Sequence, residues 1–441
     1  MGNSVSFVAS CEICWLCLRR FESFSAHHLL LQGVVEVVKN HAPREGNERE
    51  LVSEFAFSAP RHTPHRKPGK EGIRRDKPGK RKTISRIIRS AYPAILMRTP
   101  ILFLFFLSSA WRVAAHSAPA VVLQPGAAVD ASSIVFDLKA WERAKLKPQL
   151  VPWEGRNITF LTTDAELDPL MVTHFVGCLD QGWETYAKLT GAKPGRFKNL
   201  NGKPTVTAVP AGGLTCGAGC GYIGVTGVEL AMFYDQNVAD WQRDPLNFPH
   251  YGFYELGRNF YTFKDRHSCF ITGYAVFMRY VCMDAVKCHD ADLPTRTHIE
   301  QMEEVYARSS EPFLRTFTIL DGYDEKTNRM KDASGKMIRT SDQPVMYATA
   351  MLKLRRDYGG DAWVQKFFAA LAKCPGIKPT DKAAARRQCL SWLACASHAA
   401  GRDLTPIFCD RWRMDLSTDL RARFKAAPWG APDFDFTLLL E

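Results

Sequence analysis

The chain lacks the run of about 20 apolar residues that crossing a bilayer requires; its most apolar stretch, Ile101 to Trp111, holds eleven. Beyond residue 115 there is no G-x-S-x-G string, which excludes the usual serine-nucleophile elbow. The glycine-rich segment GGLTCGAGCGYIGVTGVEL has neither the lysine of a phosphate loop nor a strand–GxGxxG–helix setting. It reads as tight turns joining short strands, not as a nucleotide cradle. The ten cysteines after residue 115 include no C-x-x-C pair, which counts against zinc held by thiolates. Strong charge is missing there too: 39 Lys/Arg face 37 Asp/Glu, a net of +2.

Most of the +12 carried by the whole chain lies upstream. Residues 1–96 hold 17 Lys/Arg against 9 Asp/Glu and repeat a KPGK element with almost no apolar residues around it. Such composition cannot bury a core, so this part reads as a disordered basic extension outside the mature protein. Alone it would suggest a nucleic-acid tail; the near-neutral remainder removes nucleic acid as the expected partner. Cys11, Cys14 and Cys17 have metal-site spacing but no fourth ligand, and they stand in apolar sequence.

From Met97 the chain reads MRTPILFLFFLSSAWRVAAHSAPA. A positive charge at Arg98, a short apolar run and small residues at Val113 and Ala115 make a secretory signal over 97–115, cleaved near Ala115. An uncleaved anchor and a buried core segment are the alternatives. Export places the protein in a secreted or periplasmic setting, where an even set of cysteines favours disulfides over buried thiols. The close pairs 216/220, 282/288 and 389/395 suit local staples, although spacing does not fix connectivity.

Residues 116–150 are Pro- and Ala-rich and read as a lead-in. Residues 156–163 are a β-branched run typical of a strand, and 204–209 form a second. Between them, apolar residues recur at helical spacing from Asp164 to about Leu189, behind a Thr163/Asp164 cap. Two helices are expected over 249–263 and 270–285, then further helices near 297–308, 344–357, 361–373, 382–399 and 403–413, with a loop at 321–341. The class is α+β: a small mixed sheet over 151–290, then a mostly helical lobe over 291–441.

Two strings carry chemistry. Residues 250–263 read HYGFYELGRNFYTF, and residues 270–277 read FITGYAVF. Together they resemble the active-site layout of zincin metallopeptidases of the gluzincin type. In that family one helix carries His-Glu-x-x-His and the next carries a glutamate ligand, often followed by Gly, an aromatic and Ala. Two His four apart share a helix face and reach one zinc, while the intervening Glu addresses the metal-bound water. Glu255, Leu256, Gly257, Asn259, Phe260, Gly273, Tyr274 and Ala275 match the scaffold of that motif. Tyr254 and Arg258 stand where the two His belong, and Thr272 stands where the Glu belongs. A further string, HAAGRDLTPIF followed by Arg411-Trp412, resembles a segment near the end of the helical lobe of zincin-like proteins.

The resemblance implies a zincin-like fold over about residues 155–415 and a metallopeptidase site without its ligands. Arginine offers no lone pair to a metal, and a fixed guanidinium opposes a dication. Glu255 is then the candidate catalytic group, and Tyr254, Arg258, Thr272 and Tyr274 line a candidate cleft suited to a peptide carboxylate or a sugar face. No cofactor is expected; a rearranged zinc site on His250 and His267, with Tyr254, Glu255 and Asp265 close in sequence, is the fallback. Three readings follow: a non-catalytic binding or structural protein for peptide or cell-wall ligands, a hydrolase using Glu255 with a noncanonical metal, or a disulfide-stapled domain unrelated to zincins.

Overall fold

The computed structural model describes residues 121–264, 268–318, 329–332, 334–338, 340–377 and 381–440. The basic extension, the Met97 signal, Asp265, His267, the side chain of Cys269 and much of the expected 321–341 loop lie outside these residues. The class is α+β, with a mixed sheet followed by helices.

The strands are β1 (Val129–Asp130), β2 (Gln149–Glu154), β3 (Thr159–Thr162), β4 (Asn199–Leu200), β5 (Lys203–Ala208), β6 (Gly219–Gly221) and β7 (Val228–Leu230). Their order is β1-β2-β3-β5-β7-β6, with β4 hairpinned onto β5. The β3–β5 and β5–β7 pairs are parallel, and the flanking pairs β1–β2, β2–β3 and β6–β7 are antiparallel. The glycine-rich segment does supply a short antiparallel pair, β6 and β7. A two-stranded parallel pair joins β8 (Asn247–Phe248) to β9 (His289–Asp290).

The lead-in is more structured than its composition suggests. It holds β1, part of β2 and helix α1 (Leu138–Arg143), whose Trp141 is buried with Leu150, Leu161 and Val209 on one sheet face. Helix α2 (Pro169–Thr190) covers the other face, with Val172, Phe175, Val176 and Leu179 turned inward. Its cap is Asp168, not Asp164: the Asp168 carboxylate accepts the Leu170 N–H, Pro169 takes the first turn, and Gly191 closes the helix at φ +64°. That pairing of Pro at the start and left-handed Gly at the end is the favoured one.

After α3 (Val238–Arg243) come α4 (His250–Asn259) and α5 (Ser268–Val286), which form the centre of the molecule. The helices α6 (Leu293–Arg308), α7 (Phe313–Phe317), α8 (Gln343–Tyr358), α9 (Gly360–Leu371), α10 (Lys382–Ala400) and α11 (Thr418–Ala426) complete the lobe. Asp342 and Asp381 cap α8 and α10, and Gly359 and Gly401 end them in the left-handed region. The expected 403–413 helix is a π-type turn over Pro406–Arg411. Its role is to place Phe408 and Trp412 against Trp392, while Arg411 and the Trp412 indole N–H both donate to the buried Glu303 carboxylate. One apolar core runs from Val151 on the sheet to Leu439 near the chain end.

Candidate functional site

Helix α4 is held on three sides by contacts its sequence makes possible. Gly257 lets the Tyr186 ring approach, since a Cβ there would lie 2.5 Å from the hydroxyl, and that hydroxyl donates to the Phe253 carbonyl at 2.7 Å. Phe260 stacks on Tyr186 with centroids 5.2 Å apart. Asn259 binds the β6–β7 turn: its amide donates to Tyr222 O at 2.9 Å and Gly227 O at 3.0 Å, and its oxygen accepts the Gly227 N–H. Glycines on β6 admit the helix edge, because a Cβ on Gly221 would overlap the Glu255 carbonyl and one on Gly219 would meet Glu255 Cγ at 2.9 Å.

This seating brings three of the predicted residues together. Arg258 lies 3.5 Å from the Glu255 carboxylate and donates through Nη2 to the Tyr254 hydroxyl at 2.8 Å. The Gly221 N–H also supports the Glu255 carboxylate. Tyr254, Glu255 and Arg258 are 4 %, 4 % and 7 % exposed, so they form an interior set and not the wall of an open cleft. Burial pushes the Glu255 carboxyl up to about 7, against the opposing pull of Arg258 and the Gly221 N–H.

Tyr274 has a different setting, among the rings of Tyr186, Tyr261, Phe263 and Phe368. Thr272 is half-buried on α5. The glycine between them serves packing: a Cβ on Gly273 would lie 2.6 Å from the Tyr347 ring and 2.8 Å from Pro344 O. His250 faces Asp290 across 3.4 Å and sits 6.0 Å from the Tyr280 ring. Burial, then Arg279, holds its imidazole below the usual histidine range against the opposing pull of Asp290.

Sequence reasoning missed Arg279. It is 6 % exposed, donates to the Tyr280 hydroxyl at 2.6 Å and lies 5.9 Å from the Tyr254 ring centroid. The signal was available: a lone arginine in the apolar run FITGYAVFMRYV must be buried with the rest of its helix.

As a metal site the set fits poorly. The Tyr254 hydroxyl is engaged by Arg258, Arg258 has no lone pair, and Glu255 alone offers a carboxylate. Among the described residues, no group of three or more His, Cys, Asp or Glu side chains is placed to hold a metal ion. Also among the described residues, no helix is long and apolar enough to cross a membrane. Cys216 and Cys220 are joined in a disulfide. Cys282 and Cys288 are thiols, and the Cys288 side chain is hydrogen-bonded to the Cys178 thiol. Cys389 and Cys395 share one helix, whose rise of about 9 Å over six residues exceeds disulfide reach.

No family model and no curated protein matches the chain. Solved structures give distant likenesses. A functionally unknown conserved protein from Bacillus anthracis str. Ames is 11 % identical with a TM-score of 0.39, over 68 % of this chain and 58 % of that one. A mutant form of a functionally unknown conserved protein from the same source gives 11 % and 0.39, over 66 % and 54 %. A metallopeptidase from Bacteroides thetaiotaomicron gives 12 % and 0.35, over 63 % and 43 %. This chain therefore spans about half the length of the structures it matches, and likenesses this distant carry no argument about its activity.

Proposed function

We propose that this chain is an exported zincin-like protein with a degenerate metallopeptidase motif, acting without catalysis as a binding or structural protein for peptide or cell-wall ligands. The observation that carries the reading is the buried Tyr254–Arg258–Glu255 set. Zinc hydrolysis through this motif needs two imidazoles on one helix face and a carboxylate on the next helix. Tyr254 and Arg258 hold the imidazole positions, and Thr272 holds the third. A cation fixed beside Glu255 takes the electrostatic place of a metal without its Lewis acidity. Export draws support from the Met97 string, and the Cys216–Cys220 disulfide is compatible with it. In this reading 116–150 leads into the zincin-like half at 151–290, and the helical lobe follows.

A hydrolase is the second reading, and Glu255 is its ground. A carboxyl pushed up to about 7 has the proton affinity suited to a general base at neutral pH. Assays with a fluorogenic peptide library and with cell-wall fragments separate the two, comparing wild type with Glu255→Gln in added zinc and in chelator. Equal background from both proteins is expected. Turnover by the wild type that Glu255→Gln loses would establish the hydrolase. Co-sedimentation with purified cell-wall sacculi probes the ligand, and retention no greater than that of unrelated protein would reject cell wall as the target.

A further inference from the structure

We propose that Cys374 and Cys395 form a second disulfide, one that ties the end of α9 to the middle of α10. Their sulfurs lie 3.2 Å apart. The contact is that of a thiol–thiol hydrogen bond with either sulfur as donor, so the two side chains already face each other. A covalent bond requires about 2.05 Å, which the two side chains reach by moving together by about 1 Å. Both residues are buried, at 3 % and 0 % exposure, so neither is placed for chemistry at the surface.

The surroundings suit a link. Cys374 lies in the turn just after α9, where its N–H donates to Leu371 O, and Pro375 and Gly376 follow. Cys395 stands in α10 beside Ala396, whose carbonyl accepts the Trp363 indole N–H at 3.3 Å. The two helices are thus already packed through Trp363, and the bond would lock that packing across a separation of 21 residues. The Cys216–Cys220 link spans only 4. Bridging a longer loop removes more freedom from the unfolded chain. The cavity of about 320 Å³ bounded by Pro375, Gly376 and Ile377 on one side and Arg387 and Ser391 on the other lies on this ring.

The chemistry is thiol–disulfide exchange with a small-molecule disulfide such as oxidised glutathione. One cysteine thiolate attacks the oxidant, forming a mixed disulfide and releasing one glutathione thiolate. The second cysteine then attacks the mixed disulfide and releases the other. Two thiols lose two protons and two electrons, and the oxidant is reduced to two thiols.

The test uses the full chain refolded in a glutathione redox buffer, blocked with an alkylating agent and digested without reduction. Cleavage after Lys373, Lys382, Arg387 and Trp392 isolates Cys374 and separates Cys395 from Cys389. A peptide joining Cys374 to Cys395 is expected. Alkylated Cys374, or Cys374 joined to any other cysteine, would overturn the proposal. A second readout uses Cys395→Ala. Under oxidising conditions its Tm should fall about 5 °C below wild type, and under reducing conditions the difference should nearly vanish. An equal loss in both buffers would mean that the residue acts by packing alone. The mapping uses wild type, so it decides the matter even if the variant fails to fold.

Discussion

Glu229 and Glu255 are the two acids whose burial most opposes their charge. Glu229 is fully buried on β7, where one oxygen accepts the Phe136 N–H at 2.7 Å and the Thr215 hydroxyl also supports the carboxylate. Burial pushes each carboxyl from 4.5 up to about 7. The sign follows from proton counting. Between about pH 4.5 and 7 the native state holds protons that the unfolded chain has released, so unfolding free energy falls as pH rises through that window. Each group is worth ~3 kcal/mol across it. Thermal melts at intervals from about pH 4.5 to 8 should therefore show stability declining. Glu229→Gln and Glu255→Gln should each flatten the decline, and slopes parallel to wild type would refute the assignment.

Arg258 is the counterpart of that argument. Removing it leaves Glu255 buried with only the Gly221 N–H in support, at a cost of about 3–5 kcal/mol. Replacing both members, as in Glu255→Leu with Arg258→Met, should cost clearly less than the sum of the single changes. Urea melts of the four proteins give the coupling directly, and additive losses would show that the pair is not energetically linked. Glu255 and Arg258 are legible as neighbours in the sequence because residues three apart on a helix face each other across one turn. Their enclosure is not, because it depends on β6, which lies more than thirty residues upstream.

At the scale of elements, what matters is how closely α4 lies on β6. The Gly221 position admits no side chain, since its Cβ would overlap the Glu255 carbonyl, and backbone cannot rotate away as a side chain can. Gly221→Ala should destabilise the protein by about 3 kcal/mol or more, as overpacking against backbone does. Gly213→Ala is the control, with nothing within 4 Å of its Cβ and ordinary backbone angles. Equal melts for the two would mean that the helix does not rest on the strand in solution. The long helices after residue 290, α6, α8, α9 and α10, are legible from periodicity because capping residues and apolar faces agree, as at Asp342 and Gly359 around α8, whereas the short α7 and α11 are not. The lead-in is not. Its strand β1 has two residues, β2 carries Pro152, and α1 has only six residues, so no window holds a period. What makes them structure is tertiary: Trp141 fills the space over Leu150, Leu161 and Val209.

For the whole molecule, the question is where the cooperative unit starts. Among the described residues, Leu123 is the earliest that packs on either apolar core. Among the described residues, the first long-range backbone ties are Leu123 N–H to Thr173 Oγ1 at 2.9 Å and Gly126 N–H to Pro152 O at 2.8 Å. A chain beginning at residue 116 keeps both. One beginning at residue 128 loses both, together with Leu123, which packs on the main core. Each hydrogen bond contributes about 1 kcal/mol net, so the shorter chain should melt a few degrees below the longer one. The chain from 116 should match the full-length protein while carrying a net charge of +2 in place of +12. It should therefore bind a cation exchanger far more weakly at equal stability. A Tm for the 116 chain well below full length would mean that residues before 116 contribute to the fold, and would count against reading 97–115 as a removable signal.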